Sequence, residues 1–383
     1  MRKVVYLAFY AGKNEKRLSS PAADAVTKYT AEALSKQNIF VELISPAQSS
    51  SANALKQETV QKNNIKITYI KASRHVKKFN LLARFLERKK HKKRIISKLQ
   101  SVINDGDVLL VYHSLYLMDV VKQIKKERNI KLVLQVCEIY SDVLENKYTK
   151  YLEMRYFKQA DAYVFPTKLL DNIVNVHKKP SVIVHGTYYV EKECGQPFND
   201  GRVHVVYAGT FDPRKGGVQA AAAAAEFLTG KYHVHILGFG SEVDKQNLLK
   251  TIADVSKKSE CTITYDGLKS GEEYIKFIQS CNIGLSTQNP DAAFNATSFP
   301  SKILSYMANG LRVVSIRIPA IEQSAVGDYM YYYDRQTPED IARAIMQVDL
   351  NDGYDERSVI KKLNVEFLRN IKQLIDEVTN ENY

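Results

Sequence analysis

Tryptophan is absent from the 383 residues, although 24 tyrosines are present. Cysteine is scarce, with four residues at positions 137, 194, 261 and 281 and no Cys-x-x-Cys pair. That spacing indicates neither a zinc site nor a disulfide framework, and it fits a reducing cytoplasm. No metal-ligand cluster stands out in the sequence, so neither metal nor cofactor is expected. No apolar run approaches the ~18 residues of a membrane span. The start, MRKVVYLAFYAG, has the basic residues and short apolar run of a signal peptide. Polar KNEKR follows Gly12 without a cleavage-like segment, so a first strand is expected there instead. With 45% hydrophobic and 25% charged residues, the composition is that of a soluble globular protein. The length suits two cores rather than one.

The net charge is +13 and unevenly spread. The stretch RHVKKFNLLARFLERKKHKKRIISKLQ (74–100) holds much of the excess. Its apolar residues Leu81, Leu82, Phe85, Leu86, Ile95, Ile96 and Leu99 recur at helical spacing, which predicts a basic amphipathic helix or pair. A solvated face, nucleic acid and an anionic membrane surface compete as its meaning. Nucleic acid is not expected, because aromatic interleaving and a recognised nucleic-acid motif are missing.

Near-continuous apolar runs of strand length alternate with helical patterns through the first half. They fall at 4–10, 39–45, 66–72, 107–113, 131–138, 161–167 and 181–186, with a helix over 22–36. Such runs predict a parallel sheet covered on both faces. A polar stretch at 190–201 reads as a linker. A second series follows, with strands at 203–210, 232–240, 261–267, 282–287 and 311–316. Its helices fall at 215–228, 241–256, 270–280 and 299–309. The expected fold class is α/β, with two Rossmann-like doubly wound domains facing a cleft. The expected boundaries are 1–192 and 203–360, with a helix over 364–380 returning to the first domain. Ligands of such sheets bind at the carboxyl ends of the strands.

Three motifs carry chemistry. In SFPSKILSYMANGLRVVS (298–315), Ser298 can cap a helix and Pro300 suits its first turn. Free N–H groups at Phe299–Lys302, the Ser301 hydroxyl and the Lys302 charge would hold an anion, with Ser305 on the same face. A plain capped helix is the alternative. In VVYAGTFDPRKGG (205–217), Gly209 permits close approach to backbone, and Arg214 and Lys215 are placed to meet phosphate oxygens. A strand–helix loop with surface cations is the alternative. HILGFGSE (235–242) lacks the third glycine and acidic partner of a dinucleotide fingerprint, so Gly238 and Gly240 read as turn residues beside the same ligand.

Taken in order, these pieces resemble the donor half of a GT-B glycosyltransferase, and more narrowly of the retaining family 4. The matching residues are Ala208-Gly209-Thr210, Arg214-Lys215-Gly216-Gly217, Gly238-Phe239-Gly240, Tyr265-Asp266-Gly267, Phe299-Pro300-Ser301-Lys302 and Tyr306-Met307-Ala308-Asn309-Gly310. The resemblance spans most of 203–345, and the first half matches in architecture only. It implies a UDP- or GDP-sugar donor lying in the cleft without a metal ion. Its nucleotide and diphosphate would rest on Gly209, Thr210, Arg214, Lys215, Gly238, Ser301, Lys302 and Ser305, and its sugar near Asn295, Phe299 and Pro300. It also implies a glycan or lipid-linked acceptor, transfer with retention, and a place in bacterial surface polysaccharide synthesis. Docking of 74–100 on the inner face of a membrane would follow. Two departures stand out. The paired glutamates that the family often carries fall on Thr297 and Ser305, so ribose and sugar contacts would come instead from Ser301, Lys302, Ser305, Asn295 and Glu322. At the position where many relatives have a histidine stands Glu138. Glu138 and His113 are the candidate catalytic residues, although a lone His is often structural. Gly12, Arg17 and Ser20, in the loop after the first strand, are candidate acceptor contacts or plain surface residues. A non-catalytic nucleotide-sugar-binding partner subunit and a GT-B sugar-nucleotide epimerase remain as alternative functions.

Overall fold

A computed structural model describes residues 2–380, apart from 13, 15, 51–52, 73–80, 145 and 213–216. Contacts divide the chain into two units. The first is Met1–Pro166, Leu170–Thr187 and Glu366–Tyr383, and the second is Thr167–Leu169 and Tyr188–Val365.

The strands of the first unit are β1 (Lys3–Leu7), β2 (Phe40–Ser45), β3 (Glu58–Lys62), β4 (Ile65–Tyr69), β5 (Val108–Tyr112), β6 (Lys131–Gln135), β7 (Ala162–Phe165) and β8 (Ser181–Ile183). Among the described residues they form one sheet in the order β3-β4-β2-β1-β5-β6-β7-β8. Every pairing is parallel except that of β3 with β4. The central runs are largely apolar because helices cover both faces. Val4 to Leu7 and Leu109 to Val111 are wholly buried. The antiparallel β3 escapes the sequence reading for a plain reason. All five of its residues, ETVQK, are exposed, so no burial pattern marks it. The helix Glu356–Asn380 ends in this unit, where Phe367 stacks on Tyr29 at 5.2 Å and Ile371, Ile375 and Val378 are buried. It starts eight residues before the expected 364.

The second unit holds β9 (Val203–Thr210), β10 (Tyr232–Phe239), β11 (Thr262–Gly267), β12 (Ile283–Ser286), β13 (Arg312–Ile316) and β14 (Met330–Tyr333). The order is β11-β10-β9-β12-β13-β14, all parallel. The chain builds outward from β9 on one side, then returns to start again at β12 on the other. That reversal makes a crevice at the carboxyl ends of β9 and β12. β14, MYYY, was not expected as a strand, since its tyrosines give no continuous apolar run. The alanine run folds as a short helix, Val218–Ala223, continued by the 3-10 turn Ala224–Phe227. The polar stretch expected as a linker is tied into this unit. One Gln279 oxygen accepts from the N–H groups of Cys194 and Gly195 at 2.8 Å each.

Candidate functional site

The crevice of the second unit is shaped by missing side chains. A Cβ on Gly284 of β12 would collide with the Tyr306 ring, so glycine lets the helix Lys302–Ala308 settle against the sheet. Tyr306 then reaches between the two central strands, and its hydroxyl accepts the Ala208 N–H at 2.8 Å. This helix start is thereby pinned beside the end of β9. A Cβ on Gly238 would strike the Gly209 carbonyl, and one on Gly240 would lie 2.6 Å from Phe211 Cβ. These two glycines serve the close pairing of β9 and β10. The loop beyond β9 is tied to the end of β12, where the Gly217 N–H donates to the Thr287 carbonyl at 2.8 Å.

Lys302 is the centre of this arrangement. Its ammonium lies 4.0 Å from the centroid of the Tyr207 ring and 3.0 Å from where a Gly209 Cβ would stand. Among the described residues it has no hydrogen bond and no carboxylate partner. Burial away from water lowers its pKa from 10.5 to about 7. Tyr207 is itself buried, with its hydroxyl 3.3 Å from the Thr210 carbonyl. Gly209, Thr210 and Lys302 therefore meet at the carboxyl end of β9, with Gly238 adjacent. An unpaired cation on a glycine-lined strand end can hold an anion whose oxygens also reach backbone N–H groups.

Other expected residues stand elsewhere. Arg214 and Lys215 lie outside the described residues. The helix begins at Lys302, not Phe299, and its N-cap is Ser301, whose side chain makes no capping bond; Ser298 does not cap it. Ser301 is exposed and Pro300 partly buried. The Ser305 hydroxyl is 3.3 Å from the Tyr274 hydroxyl, on the side of the helix Gly271–Ser280. Asn295 is 4% exposed and its amide donates to the Asn289 carbonyl at 2.6 Å, so it braces its own loop. Phe299 is 8% exposed and packs inward. The carboxylate of Glu322 pairs with Arg317 on the surface at 2.9 Å.

In the first unit, two expectations are corrected by burial. His113 is 1% exposed, with Nε2 2.6 Å from Glu153 and its ring against Tyr156 and Phe157. It is enclosed in the core rather than open to a substrate. Burial would raise the pKa of Glu153, but hydrogen bonds from His113 and Ser141 outweigh that and hold it low. Arg17 is 4% exposed and donates to the carbonyls of Ala47, Ile70 and Lys56 at 2.8–3.1 Å. Its guanidinium ties three backbone segments together, which suits a group with five donors. Gly12 and Ser20 are exposed. Gly12 adopts φ +61, and its N–H donates to Asp24 at 2.9 Å, as does the Ala11 N–H at 3.1 Å. Glu138 is half-buried just beyond the carboxyl end of β6. The next helix start is held by Glu153, which accepts from the N–H groups of Tyr140 and Ser141.

Sequence reasoning missed the roles of Tyr207, Tyr306 and Asp24: the two tyrosines lie in quoted motifs, but what they do is position a neighbour. It also missed a cluster of histidines. His204, His233 and His235 each offer one nitrogen within 4.8 Å of the others, which corrects the expectation that the chain has no metal-ligand cluster.

No family model and no curated protein matches this sequence. Solved structures do match in shape. Trehalose-6-phosphate synthase from Escherichia coli, bound with UDP-2-fluoro glucose, is 12% identical, with a TM-score of 0.69 over 99% of both chains. A second trehalose-6-phosphate synthase structure gives a TM-score of 0.71 at 11% identity, again over 99% of both. The UDP-forming alpha,alpha-trehalose-phosphate synthase from Burkholderia xenovorans, in complex with glucose-6-phosphate, is 13% identical, with a TM-score of 0.67 over 98% of both. The chain has the GT-B glycosyltransferase fold: two parallel-sheet, Rossmann-like units and a C-terminal helix. The narrower likeness to retaining family 4 rests on the order of the motifs alone.

Proposed function

We propose that the chain is a glycosyltransferase that takes its sugar from a nucleotide-sugar donor. The single observation that carries this is Lys302, a largely desolvated ammonium without a counter-ion among the described residues, at the carboxyl end of β9. Such a charge is costly unless a ligand supplies the anion, and a diphosphate has the charge and the oxygens to do so. UDP is the first base to try, since a fold neighbour was solved with a UDP-sugar. On this reading Lys302 stabilises charge on the departing diphosphate while the acceptor hydroxyl attacks from the same face, giving retention without a metal ion. Arg214, Lys215, Ser301 and Thr210 complete the phosphate shell, and Glu138 orients the acceptor. The acceptor is a glycan or a lipid-linked sugar of a bacterial surface polysaccharide. We assign the narrower family to retaining family 4 and the location to the cytoplasmic face of a membrane. Ser305, with its hydroxyl at Tyr274, and Thr297 leave no carboxylate at the family's usual places. A slow transferase is therefore expected rather than a fast one.

A thermal-shift screen against UDP, GDP, ADP and CMP tests the reading. One nucleoside diphosphate should stabilise the wild type and do little for Lys302→Ala. Equal stabilisation of both proteins would remove Lys302 from the donor site. A lack of stabilisation by any nucleotide would overturn the donor site itself.

A further inference from the structure

His204 lies near the start of β9, and His233 and His235 lie two apart on β10, where side chains share a face. The strand register sets His204 against His233. Each ring has one nitrogen held by an oxygen. His204 Nε2 is 2.9 Å from Asp200, His235 Nδ1 is 3.0 Å from Asp266, and His233 Nε2 is 3.0 Å from the Thr264 hydroxyl. That hydroxyl donates to Asp266 at 2.8 Å, so it accepts from His233. Each of these contacts places the ring proton on the outward nitrogen. On this assignment His204 Nδ1 and His235 Nε2 both lack a proton where they face each other at 2.9 Å. Both residues are only 2% exposed. The Phe198 ring lies over them, 4.0 Å from His204 and 5.2 Å from His235. Water does not screen the repulsion between the two lone pairs, so either a shared proton or a metal ion belongs between them. Arg202 donates to His233 Nδ1 at 3.2 Å and pairs with Asp200 at 2.7 Å, so a metal ion would take that nitrogen from it.

We propose that His204, His233 and His235 bind a divalent transition-metal ion of the zinc class. Nitrogen ligands suit such an ion, at roughly 2.0–2.1 Å each. Tetrahedral coordination at that length separates the nitrogens by about 3.3 Å, so the rings open slightly on binding. Asp200 and Asp266 fix the tautomers from behind, as carboxylates do for metal-bound histidines. They also offset the charge of the ion, and Arg202 stays with Asp200. The site lies in the amino-terminal halves of β9 and β10, with His204 five residues before Gly209 and His235 level with Val206, three before it. At ~3.3 Å per residue those spacings are roughly 17 and 10 Å. The ion therefore braces the segment 198–202 against the sheet and takes no part in sugar transfer.

The test uses the full chain, stripped with a chelator and dialysed against Zn²⁺, Co²⁺ or Mg²⁺. About one Zn²⁺ per chain should be retained, with a rise in Tm and, for Co²⁺, the visible spectrum of a tetrahedral nitrogen-ligated ion. Mg²⁺, which prefers oxygen ligands, should do nothing. His233→Ala, at the more exposed of the three positions, should abolish retention, and Asp200→Asn should weaken it about 10–100-fold. Retention that is equal in wild type and His233→Ala would overturn the site. So would a wild type that keeps no Zn²⁺ and shows by NMR a single proton shared between His204 and His235.

Discussion

Two cations with interior side chains show what a residue's surroundings decide. Arg17 has its charge spread over backbone carbonyls, whereas among the described residues Lys302 has the face of Tyr207. The lowered pKa of Lys302 has a definite sign. Its unfolded value is 10.5 and its folded value about 7. Between them the unfolded chain binds more protons, so this residue's contribution to stability rises with pH across that window and is least favourable below about 7. Lys302→Met should therefore raise the Tm of the ligand-free protein at neutral and lower pH while removing the response to nucleotide. A bound diphosphate should restore the proton. Calorimetry of nucleotide binding at about pH 8, in two buffers of different ionisation enthalpy, should show uptake of up to about one proton, absent in Lys302→Met. Equal uptake by both proteins would place the phosphate elsewhere. The sequence named both Arg17 and Lys302 as ligand contacts. It could not separate them, because the difference lies in which carbonyls fold around each charge.

At the level of elements, the close pairing of β9 and β10 depends on Gly238. Its φ is +135 and an added Cβ has no room beside the Gly209 carbonyl. Gly238→Ala should cost about 2–4 kcal/mol in urea unfolding. Gly267→Ala is the comparison, with φ +78 but open space, and should cost about 1 kcal/mol. Equal costs would show that backbone conformation, not the close approach, governs the pair. Strand positions were legible wherever both faces are buried, as in β1, β5 and β9. They were not legible for the exposed β3 or the tyrosine-built β14. The start of the helix Lys302–Ala308 was misread for a related reason. Ser298 and Pro300 look like start signals, but Ser301 takes the cap position and Pro300 belongs to the preceding turn.

At the scale of the whole molecule, the excess of positive charge meets an apolar surface on one helix, Leu81–Val102. His91, Ile95 and Leu99 anchor its second half in the core of the first unit. Leu81, Leu82, Phe85 and Leu86 are 73%, 70%, 54% and 47% exposed, among Arg84, Arg88, Lys89 and Lys90. The part of the basic region at 74–80 lies outside the described residues. No helix among the described residues is long and apolar enough to cross a membrane. An interfacial mode fits the pattern, with about 1 kcal/mol from each cation near an anionic surface. The chain should cosediment with anionic phospholipid vesicles at low salt and much less with zwitterionic ones. Replacing Leu81, Leu82, Phe85 and Leu86 together by serine should abolish that binding. Unchanged binding by the fourfold variant would mean that charge alone, or another surface, makes the contact.

The sequence by itself determined the α/β class, the two series of parallel strands and the order of the glycine-bearing motifs at the strand ends. Apolar runs and glycine positions are local properties, and local forces read them directly. Tertiary structure decided which charges stay uncompensated and which side chains meet. Strand pairing brings His204 to His235 across 31 positions of sequence, and burial closes His113 into the core beside Glu153. Solvation and hydrogen-bond partners are set by what surrounds a group in space, and chain neighbours do not specify that.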